Sequence, residues 1–155
     1  MSVHLIVGQA APPIELVDQS NNHVSLAAHK GHKVMVYFYP KANTPGCTMQ
    51  SCGLRDIKND VGDTVILGIS PDPVEKQAKF DEKYGLGFPL LSDTEHVVSE
   101  AYGVWEEKSM FGKKYMGINR SAFLVDENGM LEKVWYKASP NSTPKNLLSA
   151  LKASQ

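Results

Sequence analysis

Apolar and polar positions along the chain change period several times, and each change marks an element. Residues 14–17 and 23–26 alternate around the polar run Asp18-Gln19-Ser20-Asn21-Asn22, which predicts a short N-terminal β-hairpin. Residues 34–39 (VMVYFY) are continuously apolar, the pattern of a strand buried on both faces, and Pro40 stops it because proline has no N–H for the ladder. Thr44-Pro45-Gly46 then reads as a helix start, with a capping hydroxyl followed by proline at the first helical position. Leu54, Ile57 and Val61 recur at helical spacing, so this helix is expected over residues 45–61, closed by Gly62-Asp63.

The alternation continues to the C-terminus. Residues 64–70 (TVILGIS) form a second buried strand, and residues 73–84 a helix with Val74, Gln77, Phe80 and Tyr84 on one face. A short strand is expected at 89–91, a helix at 94–102 and a strand at 121–125. Asp126-Glu127-Asn128-Gly129 turns into a further strand at 131–136. A last helix begins near Pro144 and carries Leu147, Leu148 and Leu151. Residues 103–120 show no clean period and read as a long connection, with Trp105, Phe111 and Tyr115 as packing residues. Strands alternating with helices, followed by a late hairpin, define an α/β class. The expected architecture is a thioredoxin-like sandwich, a central mixed sheet flanked by helices with the N-terminal β-hairpin at its side.

Composition narrows the function. The chain has 155 residues, with 16 Lys and Arg against 17 Asp and Glu and 42% hydrophobic residues. That length fits one domain over residues 1–155, without repeats or low-complexity tracts. A net charge of −1 gives no electrostatic handle for nucleic acid or an anionic membrane surface. No apolar run reaches the roughly 20 residues needed to span a bilayer. The N-terminus lacks the basic lead and apolar stretch of a secretory signal, so a cytoplasmic location is expected. His29 and His32 are flanked by lysines with no carboxylate or cysteine beside them, so they read as a solvated turn and no metal site is expected.

The two cysteines carry the chemistry. In a reducing compartment a pair five residues apart is a poor structural staple, because the loop it closes is tiny. Cys47 falls in the first turn of a helix directly after a central strand, where unpaired backbone N–H groups and the positive end of the helix dipole favour a thiolate. Thr44 can cap that helix and also point its hydroxyl at the thiolate or at a bound oxygen substrate, while Pro40 and Pro45 bracket the loop. On an ideal helix, Cα atoms five residues apart are separated by about 8.6 Å. A disulfide needs them within about 7 Å, so a bond between Cys47 and Cys52 requires the first turns to unwind. Gly53 lowers the cost of that unwinding, since glycine inside a helix is about 1 kcal/mol worse than alanine.

At these residues the chain resembles the peroxiredoxins, and most closely the bacterioferritin comigratory protein or Q-type group. The P-x-x-x-T/S-x-x-C pattern is matched by Pro40, Thr44 and Cys47, the cysteine five residues on by Cys52, and an arginine before a late strand by Arg120. The stretch C-T-x-Q-x-C-G-L-R-D over residues 47–56 adds to the likeness, which extends over nearly the whole chain. The resemblance implies a thiol-dependent peroxidase acting on hydrogen peroxide and organic hydroperoxides, with Cys47 peroxidatic and Cys52 resolving. It further implies that Thr44, Arg120 and the Gly46 and Cys47 N–H groups stabilise the reacting oxygens, with Pro40 and Gly46 at the substrate. A thioredoxin-like dithiol reductant is the implied partner, no cofactor is needed, and a resolving cysteine in the same chain suits a monomer. Two other readings compete. A thioredoxin-type disulfide reductase would need C-x-x-C in place of the C-x-x-x-x-C found here, and a redox sensor could use the same cysteine pair to switch a binding surface.

Overall fold

A computed structural model describes residues 4–153. Its centre is β3 (Val34–Phe38), whose apolar run is explained by burial on both faces: Val34, Val36 and Phe38 enter one core and Met35, Tyr37 and the following Tyr39 the other. β4 (Val65–Ser70) lies parallel to β3, and β5 (Leu90–Ser92) parallel to β4. β8 (Ser121–Val125) and β9 (Leu131–Trp135) continue the sheet antiparallel on the other side of β3. The expected N-terminal hairpin, β1 (Glu15–Val17) with β2 (His23–Ser25), joins through Val17 opposite Ser92. The strand order is β2-β1-β5-β4-β3-β8-β9.

Helices cover both faces of this seven-stranded mixed sheet, the thioredoxin-like arrangement that the element order implies. α1 (Pro45–Asp56), α2 (Val74–Tyr84) and α4 (Ser142–Ala153) place Leu54, Phe80 and Leu147 in the core that contains Met35, Tyr37 and Tyr39. α3 (Val97–Ala101) puts Val98 in the core on the other face, with Phe38 and Phe123. α1 ends at Asp56, five residues short of the helix expected from periodicity. A 3-10 turn at Lys58–Asp60 carries the chain on, so Ile57 and Val61 still reach the core although the α-helix has stopped.

The expected aperiodic connection over residues 103–120 is instead a second sheet, β6 (Trp105–Met110) paired antiparallel with β7 (Lys113–Ile118). Its two-residue turn is Phe111-Gly112, with both φ angles positive (53° and 76°). Such turns are normally announced by Asn-Gly or Asp-Gly, and phenylalanine hides the signal. Nor is Phe111 a packing residue. It is 97% exposed, and Tyr115 is 43% exposed, because the hairpin tip projects from the body. Trp105 does pack, its ring stacked on His96 at 4.2 Å.

Candidate active site

β3 delivers the chain to the loop at Pro40, and α1 lifts it away again, so Cys47 sits in the first turn of α1 beside the end of the central strand. Cys47 is completely buried, packed into the core between the sheet and helices α1, α2 and α4. Its helical neighbours Ser51 and Leu54 are buried with it, the i, i+4, i+7 stripe that faces the sheet. Under this stripe the Tyr37 hydroxyl lies 2.7 Å from Ser51 Oγ. Gly68 of β4 leaves room for that phenol, because a Cβ there would meet the Tyr37 oxygen at 2.8 Å. Burial pushes the Tyr37 phenol well above the ordinary tyrosine value, against the pull of its Ser51 hydrogen bond, so it stays neutral.

Arg120, just ahead of β8, reaches the cysteine. Its Nη2 donates to Cys47 Sγ at 3.4 Å, and its Nη1 donates to Gln50 Oε1 at 2.8 Å. Gln50 is buried and donates in turn from Nε2 to Thr143 Oγ1 at 3.0 Å, and the Thr143 hydroxyl donates to the Ser139 carbonyl at 3.0 Å. The guanidinium is thereby held by one arm while the other points at sulfur. Gly46 leaves room for this approach, since a Cβ there would lie 3.0 Å from Arg120 Nη2 and press the guanidinium aside by a few tenths of an ångström.

Thr44 departs from expectation. It precedes α1 in an extended conformation, and its backbone carbonyl accepts from the Thr48 N–H at 2.8 Å, but its side chain makes no capping bond. The hydroxyl instead donates to the Lys41 carbonyl at 2.8 Å, because the loop folds back on itself through Asn43 at φ 64°. Pro40 is half-buried at the mouth of that loop. The loop is held from outside by Asp72, whose Oδ2 accepts from the Ala42 N–H and from Ser70 Oγ, both at 2.7 Å. Gln77 extends this network, donating to Ser70 Oγ at 2.8 Å and accepting from the Tyr39 hydroxyl at 2.5 Å.

Cys52 lies farther along α1, half-buried, and both thiols are free with the helix wound. Lys108 of β6 is half-buried near Arg120 and Cys47. Burial, then the Arg120 charge, pulls its ammonium below the ordinary lysine value. Among the described residues, no group of three or more His, Cys, Asp or Glu side chains could hold a metal ion, and no helix is long and apolar enough to cross a membrane. The structure thus brings together Cys47, Arg120 and Gly46, with the Thr44 hydroxyl bonded to the Lys41 carbonyl and Cys52 unbonded. Gln50 belongs to the C-T-x-Q-x-C stretch, but the sequence assigns it no role, and Thr143 and Asp72 stand outside every motif. Gln50 sits one helical turn from Cys47 and was legible on that ground, whereas nothing local marks Thr143 or Asp72.

Within thioredoxin-like folds, a single buried cysteine facing a guanidinium at a helix start, in place of two cysteines in C-x-x-C spacing, is the arrangement of thiol-dependent peroxidases, and this chain is of that class. The family follows from comparison with known proteins. The model of the AhpC/TSA family matches residues 7–134, and the chain belongs to that family. It is 46% identical over 148 residues to peroxiredoxin Bcp of Bacillus subtilis (strain 168), covering 94% of both chains. It is 50% identical over 133 residues to peroxiredoxin Bcp of Escherichia coli (strain K12), covering 84% of this chain and 85% of the relative. Among solved structures, it superimposes with a TM-score of 0.85 on the Xanthomonas campestris bacterioferritin comigratory protein, described for its alkyl peroxide reduction activity. The two are 36% identical, and 91% of each chain is covered.

Proposed function

We propose that this peroxidase reduces hydrogen peroxide and organic hydroperoxides through Cys47, with Cys52 as the resolving thiol and a thioredoxin-like dithiol as reductant. The observation that carries the reading is the Arg120 Nη2 to Cys47 Sγ contact of 3.4 Å, with Nη1 tied to Gln50. In the first step the Cys47 thiolate attacks one peroxide oxygen and the O–O bond breaks. Cysteine becomes a sulfenic acid, and the other oxygen leaves as water or an alcohol after taking a proton. Negative charge spreads over both oxygens in the transition state. Arg120 and the N–H groups of Gly46 and Cys47 are donors suited to it, and Gly46 and Pro40 wall the substrate. The Thr44 proton is committed to the Lys41 carbonyl, so its oxygen is free to accept the peroxide O–H, which orients the substrate.

In the second step the Cys52 sulfur attacks the Cys47 sulfenic sulfur, a disulfide forms and water leaves. The wound α1 must open for this, because helical geometry holds the two residues beyond bonding range. A dithiol then reduces the disulfide by exchange. A resolving cysteine on the same helix needs no second subunit, which suits a monomer of one domain over residues 1–155, acting in the cytoplasm where dithiol reductants are kept reduced.

Peroxide consumption coupled to thioredoxin, thioredoxin reductase and NADPH tests this on wild type, Cys47→Ser and Cys52→Ser. Cys47→Ser is expected to abolish turnover. Cys52→Ser is expected to undergo one rapid oxidation and then fail to recycle with thioredoxin. Sustained wild-type turnover by Cys52→Ser would remove Cys52 from the cycle, and unchanged consumption by both variants would favour the redox-sensor reading.

A further inference from the structure

α1 carries a second stripe, a quarter-turn away from the one that faces the sheet. Gly46, Gln50 and Gly53 stand at i, i+4 and i+7, and all three meet the chain entering α4. A Cβ on Gly46 would lie 3.5 Å from Pro140 Cγ, and a Cβ on Gly53 would lie 2.7 Å from Pro144 Cγ. Between these two close approaches Gln50 Nε2 donates to Thr143 Oγ1 at 3.0 Å. Gln50 and Thr143 are both fully buried, so this bond has no water to replace it.

Gln50 lies between Cys47 and Cys52 in the segment that must leave helical geometry before the two sulfurs can meet. The same side chain holds Arg120 by its other end. Winding of α1, docking on α4 and aiming of the guanidinium therefore share one amide group.

We propose that the head of α4 is a latch on the peroxidatic helix: Thr143, acting through Gln50, positions Arg120 while α1 is wound, and release of the Gln50–Thr143 bond gates condensation of oxidised Cys47 with Cys52. Thr143 and Gln50 are positioning residues here, and neither needs to touch the peroxide. The latch rests on the reading of Cys52 as the resolving thiol. In the gated step the Cys52 thiolate attacks the Cys47 sulfenic sulfur, hydroxide leaves and takes up a proton, and the disulfide and water are the products. The opposed effects on the two steps distinguish a latch from a merely structural contact. Loosening it slows oxidation by misplacing Arg120 and speeds resolution by easing the unwinding.

The test is rapid mixing of the reduced protein with hydrogen peroxide, acid quenching and intact mass measurement, which follows sulfenic acid formation and its conversion to disulfide separately. Thr143→Val replaces the hydroxyl by a methyl group of similar size, and Thr143→Ser restores the hydroxyl. Thr143→Val is expected to slow the first phase at least threefold and to speed the second at least threefold, with Thr143→Ser within twofold of wild type in both. A second phase in Thr143→Val that equals or lags wild type, or a Thr143→Ser that behaves like Thr143→Val, overturns the latch. A wild type that forms no Cys47–Cys52 disulfide overturns the Cys52 reading and the latch with it, whereas a normal disulfide with unaltered rates removes the latch alone. Hydrogen exchange on the wild type tests the latch even if Thr143→Val fails to fold. Conversion to the disulfide form is expected to speed exchange of the Asn146, Leu147 and Leu148 amides at least tenfold, and unchanged exchange there overturns the proposal.

Discussion

Arg120 shows how a side chain with an ordinary surface role elsewhere becomes specific by being held. Its guanidinium is planar and forked, so fixing Nη1 on Gln50 at 2.8 Å also fixes the direction of Nη2 toward Cys47. A lysine in its place would bring the charge without the fork. Removing one well-aimed donor from a developing oxyanion typically costs about 10²- to 10³-fold in rate. Arg120→Met is accordingly expected to slow Cys47 oxidation by about 10²-fold or more in stopped-flow measurements, with Arg120→Lys recovering only part of the loss. A rate within threefold of wild type for Arg120→Met would show that the contact seen in the resting site is not kept in the reaction. Thr44 gives the contrary lesson. Its position before a helix invites a capping role, yet the side chain makes no capping bond and the hydroxyl donates to the Lys41 carbonyl, which the turn through Asn43 brings within 2.8 Å.

At the scale of elements, the seam between α1 and α4 explains why glycine stands at position 53. Helix propensity alone predicts that Gly53→Ala stabilises the protein by about 1 kcal/mol. The added methyl would meet Pro144 Cγ at 2.7 Å, and a proline ring on a packed helix has little freedom to yield. Gly53→Ala is therefore expected to lower unfolding stability by about 1 to 3 kcal/mol in urea titrations. In a Pro144→Ala background the same change is expected to be stabilising, and a thermodynamic cycle that shows no such reversal would disprove the seam argument. Sequence periodicity performed well for β3 and α2, whose buried faces are continuous, and failed for β6 and β7. That hairpin buries little of either face, so its residues carry no strong alternation, and the Phe111-Gly112 turn lacks the expected residue pair.

At the scale of the whole molecule, two cores on opposite faces of one sheet enclose several tyrosines whose ionisation the fold opposes. Burial raises Tyr37, Tyr39 and Tyr102 above the ordinary phenol value near 10. The folded state keeps these protons where the unfolded chain would give them up, so stability is fully present below pH 10 and declines as pH rises beyond it. Each such group steepens the decline by about 1.4 kcal/mol per pH unit. Urea unfolding between pH 9 and 11.5 is expected to show this fall, and Tyr37→Phe to make it shallower by about that amount, while identical slopes would show that Tyr37 ionises in the folded protein. The element order outside residues 103–120, the two-faced burial of residues 34–39 and the placing of Cys47 at a helix start were determined by the sequence itself, because they depend on spacing and on residues near in the chain. The partners of that cysteine were not. Arg120 lies 73 residues from Cys47, Thr143 lies 93 from Gln50 and Asp72 lies 30 from Ala42. Only the packing of β8, α4 and the β4–α2 loop around one sheet brings them within hydrogen-bond reach, and local periodicity holds no record of contacts made across such distances.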